Sequence, residues 1–146
     1  MWPWILAGAG LFVLALSGGS SQPDLVRRAL ATIRAMESGG NYTATNPTSS
    51  ASGAYQFLDS TWGGFGGYAR AKDAPPAVQD QKAALMVMAI QKRFGPDPKW
   101  IPASWYVGMR GAATIDWNTV AAPEAGNKST VAQYVQKWLA TYQRVA

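Results

Sequence analysis

Hydrophobic positions change rhythm several times along the chain. Residues 2–16, WPWILAGAGLFVLAL, carry no charged or polar side chain and are followed by the polar SGGSSQP. Beyond them Val26, Leu30 and Ile33 recur at steps of four and three, the spacing that lines one face of an α-helix. The next step of four falls on Glu37. Pro23 and Asp24 predict where this helix begins, with Asp24 as its cap, and Ser38, Gly39 and Gly40 predict its end, because glycine readily takes the left-handed conformation that closes a helix. A carboxylate therefore occupies a face that the pattern otherwise gives to hydrophobes.

The following NYTATNPTSSASGA, residues 41–54, predicts a surface loop, with at most a small β-hairpin within 41–57. YQFLDSTWGGFGGYA predicts a short turn or helix near Leu58 to Trp62 and then a loop whose glycines lack the spacing of a phosphate-binding fingerprint. APPAVQDQKAALMVMAIQKRFG opens with two prolines and ends at Gly95, and its run from Ala83 to Ile90 is apolar on all sides, which predicts a central buried helix. Asp80 sits near its start, where a carboxylate suits the helix dipole. FGPDPKWIP reads as a proline-broken connection, ASWYVGMRGAATI as a short helix and turn, and WNTVAAPEAGN as a second long loop. Thr130 with Gln133 forms a capping-box pattern, and Val131, Tyr134, Val135, Trp138, Leu139, Tyr142 and Val145 trace one face of a final helix. No stretch alternates convincingly as a strand. The domain is expected to be mainly α.

Composition narrows the chemistry. At 146 residues the chain suits one domain of ordinary size, expected over 23–146, with 1–22 as a hydrophobic signal or membrane anchor plus linker. The apolar run falls short of the roughly 20 residues a comfortable spanning helix needs, and the first basic residues, Arg27 and Arg28, follow it, so export, anchoring and a buried first helix all stay open. Cysteine and histidine are absent, which excludes disulfides, thiolate or imidazole metal sites and histidine-assisted nucleophiles. No metal and no cofactor are expected. The 13 Lys and Arg are spread along the chain with no run longer than two, so the net charge of +5 describes a mildly basic surface, and no nucleic-acid partner is expected.

Only Glu37 and Glu124 are glutamates. Glu37 lies beside apolar neighbours and next to the negative end of the helix dipole, and both disfavour its ionised form. It reads either as a general acid or as a helix-end glutamate that reaches solvent.

The company of Glu37 bears on that choice. ESGGNY, then SGAYQFLDSTW, then SWYVG at 104–108 and the final TVAQYVQKWLATY together resemble the lysozyme-like transglycosylase families, among them the lytic transglycosylases and the resuscitation-promoting factors. Three motifs in order cover nearly the whole chain after the leader. The resemblance implies a lysozyme-like (α+β) fold and a glycosidase acting on the β-1,4 bond between N-acetylmuramic acid and N-acetylglucosamine of peptidoglycan. It implies that Glu37 acts as acid and then as base, the substrate's own groups completing the reaction with a 1,6-anhydro product. Ser38, Tyr55, Gln56, Thr61, Trp62, Trp105, Tyr106 and Tyr134 then fall at substrate-binding positions, although Trp62 and Trp105 read equally as core aromatics. Tyr134 is placed to hold Glu37 if its hydroxyl reaches the cleft floor. Tyr106 stands where the family's third motif has asparagine. Asp59 is either the second carboxylate of a two-carboxylate scheme or a cap for the short helix. The implied partner is the peptidoglycan glycan strand, met by a monomer that is exported, periplasmic, wall-associated, tethered through 2–16 or carried in a phage virion. The alternative is a glycan-binding or assembly component of a secretion, conjugation or phage-tail machine with little turnover.

Overall fold

A computed structural model describes residues 21–145. The expected leader at 2–16 lies outside the described residues. Five α-helices follow in order: α1 Gln22–Glu37, α2 Asp59–Trp62, α3 Pro76–Phe94, α4 Trp100–Ala112 and α5 Val131–Arg144. Three short 3-10 turns, Phe65–Gly67, Ala71–Asp73 and Pro123–Ala125, sit in the connections. Extended structure among the described residues is limited to isolated antiparallel bridges, Thr45 with Ser52, Ser52 with Phe57 and Val120 with Thr130. The mainly α, lysozyme-like class expected from the periodicity and the resemblance is the class observed.

Helix α1 begins earlier than its sequence suggests. Ser21 occupies the cap position without a side-chain bond, and Asp24, already inside the first turn, binds Arg27 at 2.6 Å instead of capping. Pro23 is tolerated because first-turn amides have no intrahelical acceptor to lose. The end is where the glycines place it. Gly39 and Gly40 have φ of +64° and +85°, and the Gly40 amide reaches back to the Arg34 carbonyl at 3.0 Å, closing the last turn on Glu37.

Helix α3 lies between α1 and α4, and α5 closes against both of those. Ala83, Val87 and Ile90 of α3 are fully buried, but Leu85 and Met88 remain 48% and 45% exposed. The apolar run of α3 is thus buried along Ala83, Val87 and Ile90 and only half covered at Leu85 and Met88, so it is not buried on all sides as its sequence predicts. Trp100, Ile101 and Pro102, expected in a connection, form the first turn of α4, where proline costs no helical hydrogen bond. Gly108, at φ +75° and ψ 158°, breaks α4 near its middle.

The main core gathers Leu30 and Ile33 of α1, Tyr55 and Phe57 of the loop region, Trp62 of α2, Val87 and Ile90 of α3, Ile101 of α4, and Trp138 of α5. A smaller cluster under the second long loop joins Ala103 and Ala112 of α4 to Val131 and Val135 of α5. The capping box at Thr130 and Gln133 is present. The other end of α5 is tied to α1, with Arg28 donating to the carbonyls of Tyr142 and Val145, both at 2.9 Å, while its guanidinium lies 4.3 Å from the Tyr142 ring centre. Those carbonyls belong to the last turn, where a cation also complements the helix dipole.

Candidate active site

The end of α1 opens into a cleft of about 840 Å³. Glu37 forms part of its lining together with Gln56, Thr61, Trp105, Tyr106 and Tyr134, and among the lining residues it is the sole carboxylate. A second hollow of about 630 Å³ runs between α1 and α3, and its carboxylate is Asp80. Asp80 is already engaged. Its Oδ1 accepts from Tyr55 at 2.5 Å, Tyr42 at 2.7 Å and Arg34 at 3.4 Å, so it anchors two points of the α1–α2 connection and is not the first-turn dipole partner expected of it.

Glu37 is held differently. The Tyr134 hydroxyl donates to its Oε1 across from α5. Burial raises the carboxyl's pKa, while the Tyr134 hydrogen bond and the positive charge of Lys137 pull in the opposite direction. Removing the carboxylate from water is the larger effect, so the acid form persists to higher pH than in an exposed glutamate. The Tyr134 hydroxyl is pushed up as well, by its own burial and then by the neighbouring carboxylate, and so remains a donor.

The opposite wall is built by the loop after Gly53. Gly53 has φ of +79°, and a Cβ there would fall 2.4 Å from Gln79 Oε1. That oxygen accepts from the Ala54 amide at 2.9 Å, while the Gln79 amide nitrogen donates to the carbonyls of Ala74 at 2.8 Å and Tyr42 at 3.0 Å. One fully buried glutamine of α3 thus fixes three loop segments. Ser38, next to Glu37, donates from Oγ to the Ala54 carbonyl at 2.8 Å and joins the same loop to the end of α1. Gln56 follows with φ of +51°, an unfavourable conformation for a residue with a Cβ, and its side-chain amide closes on the Gly53 carbonyl at 3.0 Å. The surrounding bonds hold that conformation in place and present Gln56 to the cleft.

Three of the sequence-predicted binding residues stand elsewhere. Tyr55 is completely buried, with its hydroxyl on Asp80 and accepting from Arg34 at 2.7 Å, so its ring packs in the core behind the wall and not against a ligand. Trp62 is equally buried, and its indole nitrogen donates to the Tyr68 carbonyl at 2.7 Å. Ser38 is occupied with the loop, as described. Asp59 neither caps α2 nor enters the cleft. It is the first helical residue, Leu58 holds the cap position without a side-chain bond, and the Asp59 carboxylate pairs with Arg70 at 3.1 Å.

Trp105 and Tyr106 of α4 do line the cleft. Trp105 packs against Tyr55 and Phe57 and donates to the Tyr55 carbonyl at 3.3 Å, so it belongs to core and cleft together. Tyr106 lies flat on Tyr134, with ring centres 4.5 Å apart and planes 10° from parallel. Sequence reading missed Gln79 and the wall supplied by the second long loop, where Ala122, Asn127, Lys128 and Ser129 border the cleft. Nothing in the composition of that segment marked it, because its placement depends on contacts with distant residues such as the Tyr106 hydroxyl, which donates to the Ser129 carbonyl at 2.7 Å.

Such a cleft, with one shielded carboxyl acid at a helix end and aromatic faces beside it, is suited to protonating the leaving oxygen of a substrate that presents rings and amides. Residues 26–96 match the family model of the transglycosylase-like domain, so the resemblance to a transglycosylase family holds over α1, the loop region and α3. Similar curated proteins are the "Probable transglycosylase SceD" of Staphylococcus aureus strain Newman, 48% identical over 62 residues, and that of strain MRSA252, 49% identical over 62 residues. Each alignment covers 39% of this chain and 26% of the relative, so the chain matches about a quarter of the length of these relatives. No solved structure matches the chain significantly.

Proposed function

We propose that this protein is a peptidoglycan-cleaving lytic transglycosylase in which Glu37 is the general acid and base. The observation that carries the reading is Glu37, the one carboxyl group among the described residues that line the cleft, shielded from water and held by Tyr134. Protonated Glu37 gives its proton to the glycosidic oxygen as the bond from that oxygen to C1 of N-acetylmuramic acid breaks. The ionised carboxylate then takes the proton of the sugar's 6-hydroxyl as that oxygen closes on C1, which yields a 1,6-anhydro end and restores the acid. One carboxylate is enough for this sequence, whereas an inverting or retaining two-carboxylate scheme needs a partner across the sugar. Asp59, bound to Arg70 and absent from the cleft lining, does not supply one.

Gln56 and Thr61 on one wall, and Trp105 and Tyr106 on the other, are assigned to glycan binding. Aromatic faces suit pyranose rings and the glutamine amide suits N-acetyl groups. Among the described residues one chain lines the cleft, and the working unit assigned here is the monomer. Residues 23–146 form the catalytic domain and residues 1–22 a signal or tether that brings it to the wall glycan outside the cytoplasmic membrane. Among the described residues no helix is long and apolar enough to cross a membrane.

The test is mass spectrometry of sacculi digested by the purified chain, with Glu37→Gln alongside. Anhydro-ended muropeptides from the wild type and none from the variant are expected. Reducing ends in their place mean hydrolysis, and tight sacculus binding without products means a glycan-binding assembly component.

A further inference from the structure

Tyr106 makes two contacts that glycan binding does not require. Its ring covers the face of Tyr134 at 4.5 Å and 10°, while the aromatic pairs of the neighbouring core, Tyr55 with Trp105 and Phe57 with Trp105, are tilted by 54° and 47°. Its hydroxyl donates to the Ser129 carbonyl at 2.7 Å, on the second long loop. Tyr134 in turn donates to Glu37. Loop, Tyr106, Tyr134 and Glu37 are therefore contiguous, with α4 supplying the middle link.

We propose that Tyr106 is a positioning residue: stacked on Tyr134 and bonded to the loop that walls the cleft, it sets the hydroxyl that holds Glu37 and couples the loop's placement to the acid. A parallel stack restricts how the Tyr134 ring swings about its own side-chain torsions, and the orientation of its hydroxyl follows. The Ser129 bond does the same for Tyr106. A ligand that shifts the segment from Ala122 to Ser129 acts on the Glu37 carboxyl through two rings without touching it. The role of Glu37 in this inference rests on the function proposed above, but the coupling itself is a property of the free protein.

The groups that act on Glu37 are Tyr134 and Lys137 of α5; Tyr106 of α4 acts on Tyr134, and Lys128 is the cation among the described residues that line the cleft. The experiment follows the Glu37 side-chain carboxyl by carbon NMR in free protein from acid to neutral pH. Tyr106→Leu keeps apolar bulk over the site and removes both the flat stack and the hydroxyl. Loss of an ordered Tyr134 bond to the carboxylate should move the Glu37 midpoint upward, and turnover should fall about tenfold in kcat, equivalent to about 1.4 kcal/mol. Tyr106→Phe retains the stack but loses the Ser129 bond, so its midpoint should lie between those of wild type and Tyr106→Leu, with a raised KM from the released loop. In a Tyr134→Phe background, which by itself moves the midpoint upward, Tyr106→Leu should add no further shift. If Tyr106→Leu does not fold, Tyr106→Met is read in the same way. An unchanged midpoint in the wild-type background, or an equal shift in both backgrounds, overturns the proposal and leaves Tyr106 as wall packing. Full turnover by Glu37→Gln would sink the functional reading and leave this coupling standing.

Discussion

Glu37 and Tyr134 are separated by 97 positions in the chain and meet through one hydrogen bond, so their behaviour is testable residue by residue. Glu37→Gln keeps shape and removes the proton, and turnover should drop by at least about a hundredfold, the lower range for losing a general acid. Its effect on stability has a definite sign with pH. Burial raises the carboxyl's pKa in the folded state, so the unfolded chain ionises first as pH rises, and stability present in acid is lost on passing through the folded pKa. The glutamine has no such loss. The melting temperature of Glu37→Gln relative to wild type should therefore rise between about pH 4, the ordinary carboxyl range, and neutrality. A constant or falling difference would contradict the electrostatics of the site. Tyr134→Phe removes the bond that favours the ionised form, so the basic limb of the pH–rate profile should move to higher pH, with a lower maximal rate.

At the scale of elements, loops are fastened to helices by a few buried polar side chains. Gln79→Leu would strand the Ala54 amide and the carbonyls of Ala74 and Tyr42, and urea unfolding should show a loss of about 3 kcal/mol. Gly53→Ala meets both a positive φ and the Gln79 oxygen, so a loss of at least about 1 kcal/mol is expected. Arg28→Ala removes two bonds to the end of α5 and the cation over Tyr142, and should cost about 1 to 2 kcal/mol. Because α5 carries Tyr134, the same variant should reduce turnover more than its loss of stability explains. Equal activity for the folded fraction would mean that α5 is positioned by Trp138 and its core neighbours alone.

For the whole molecule, the described residues from α1 to α5 gather one main core. A chain starting at Ser21 is accordingly expected to be soluble, to melt with the same cooperativity and to cut glycan as well as the full chain. Unfolding on that truncation would make Trp2, Trp4 and Phe12 core residues and remove the support for a leader. What could be read along the chain were features settled within a few neighbours. These include the 3.6-residue face of α1 that ends on Glu37, the glycines that stop it, and the capping box and apolar stripe of α5. Helix starts read less well at Asp24 and Trp100, because prolines in first turns resemble breaks when only propensity is considered. Side-chain direction was decided by tertiary structure. Tyr55 and Gln56 are adjacent in sequence, yet the turn clasped by Gln79 sends one ring into the core and presents the other side chain to the cleft. The wall from Ala122 to Ser129, the retirement of Asp59 to Arg70, and the stack of Tyr106 on Tyr134 likewise arise from contacts between distant segments. Periodicity records which face of a helix avoids water, because that preference acts at every turn. It carries no record of which partner waits there, because the partner is chosen only when the helices pack.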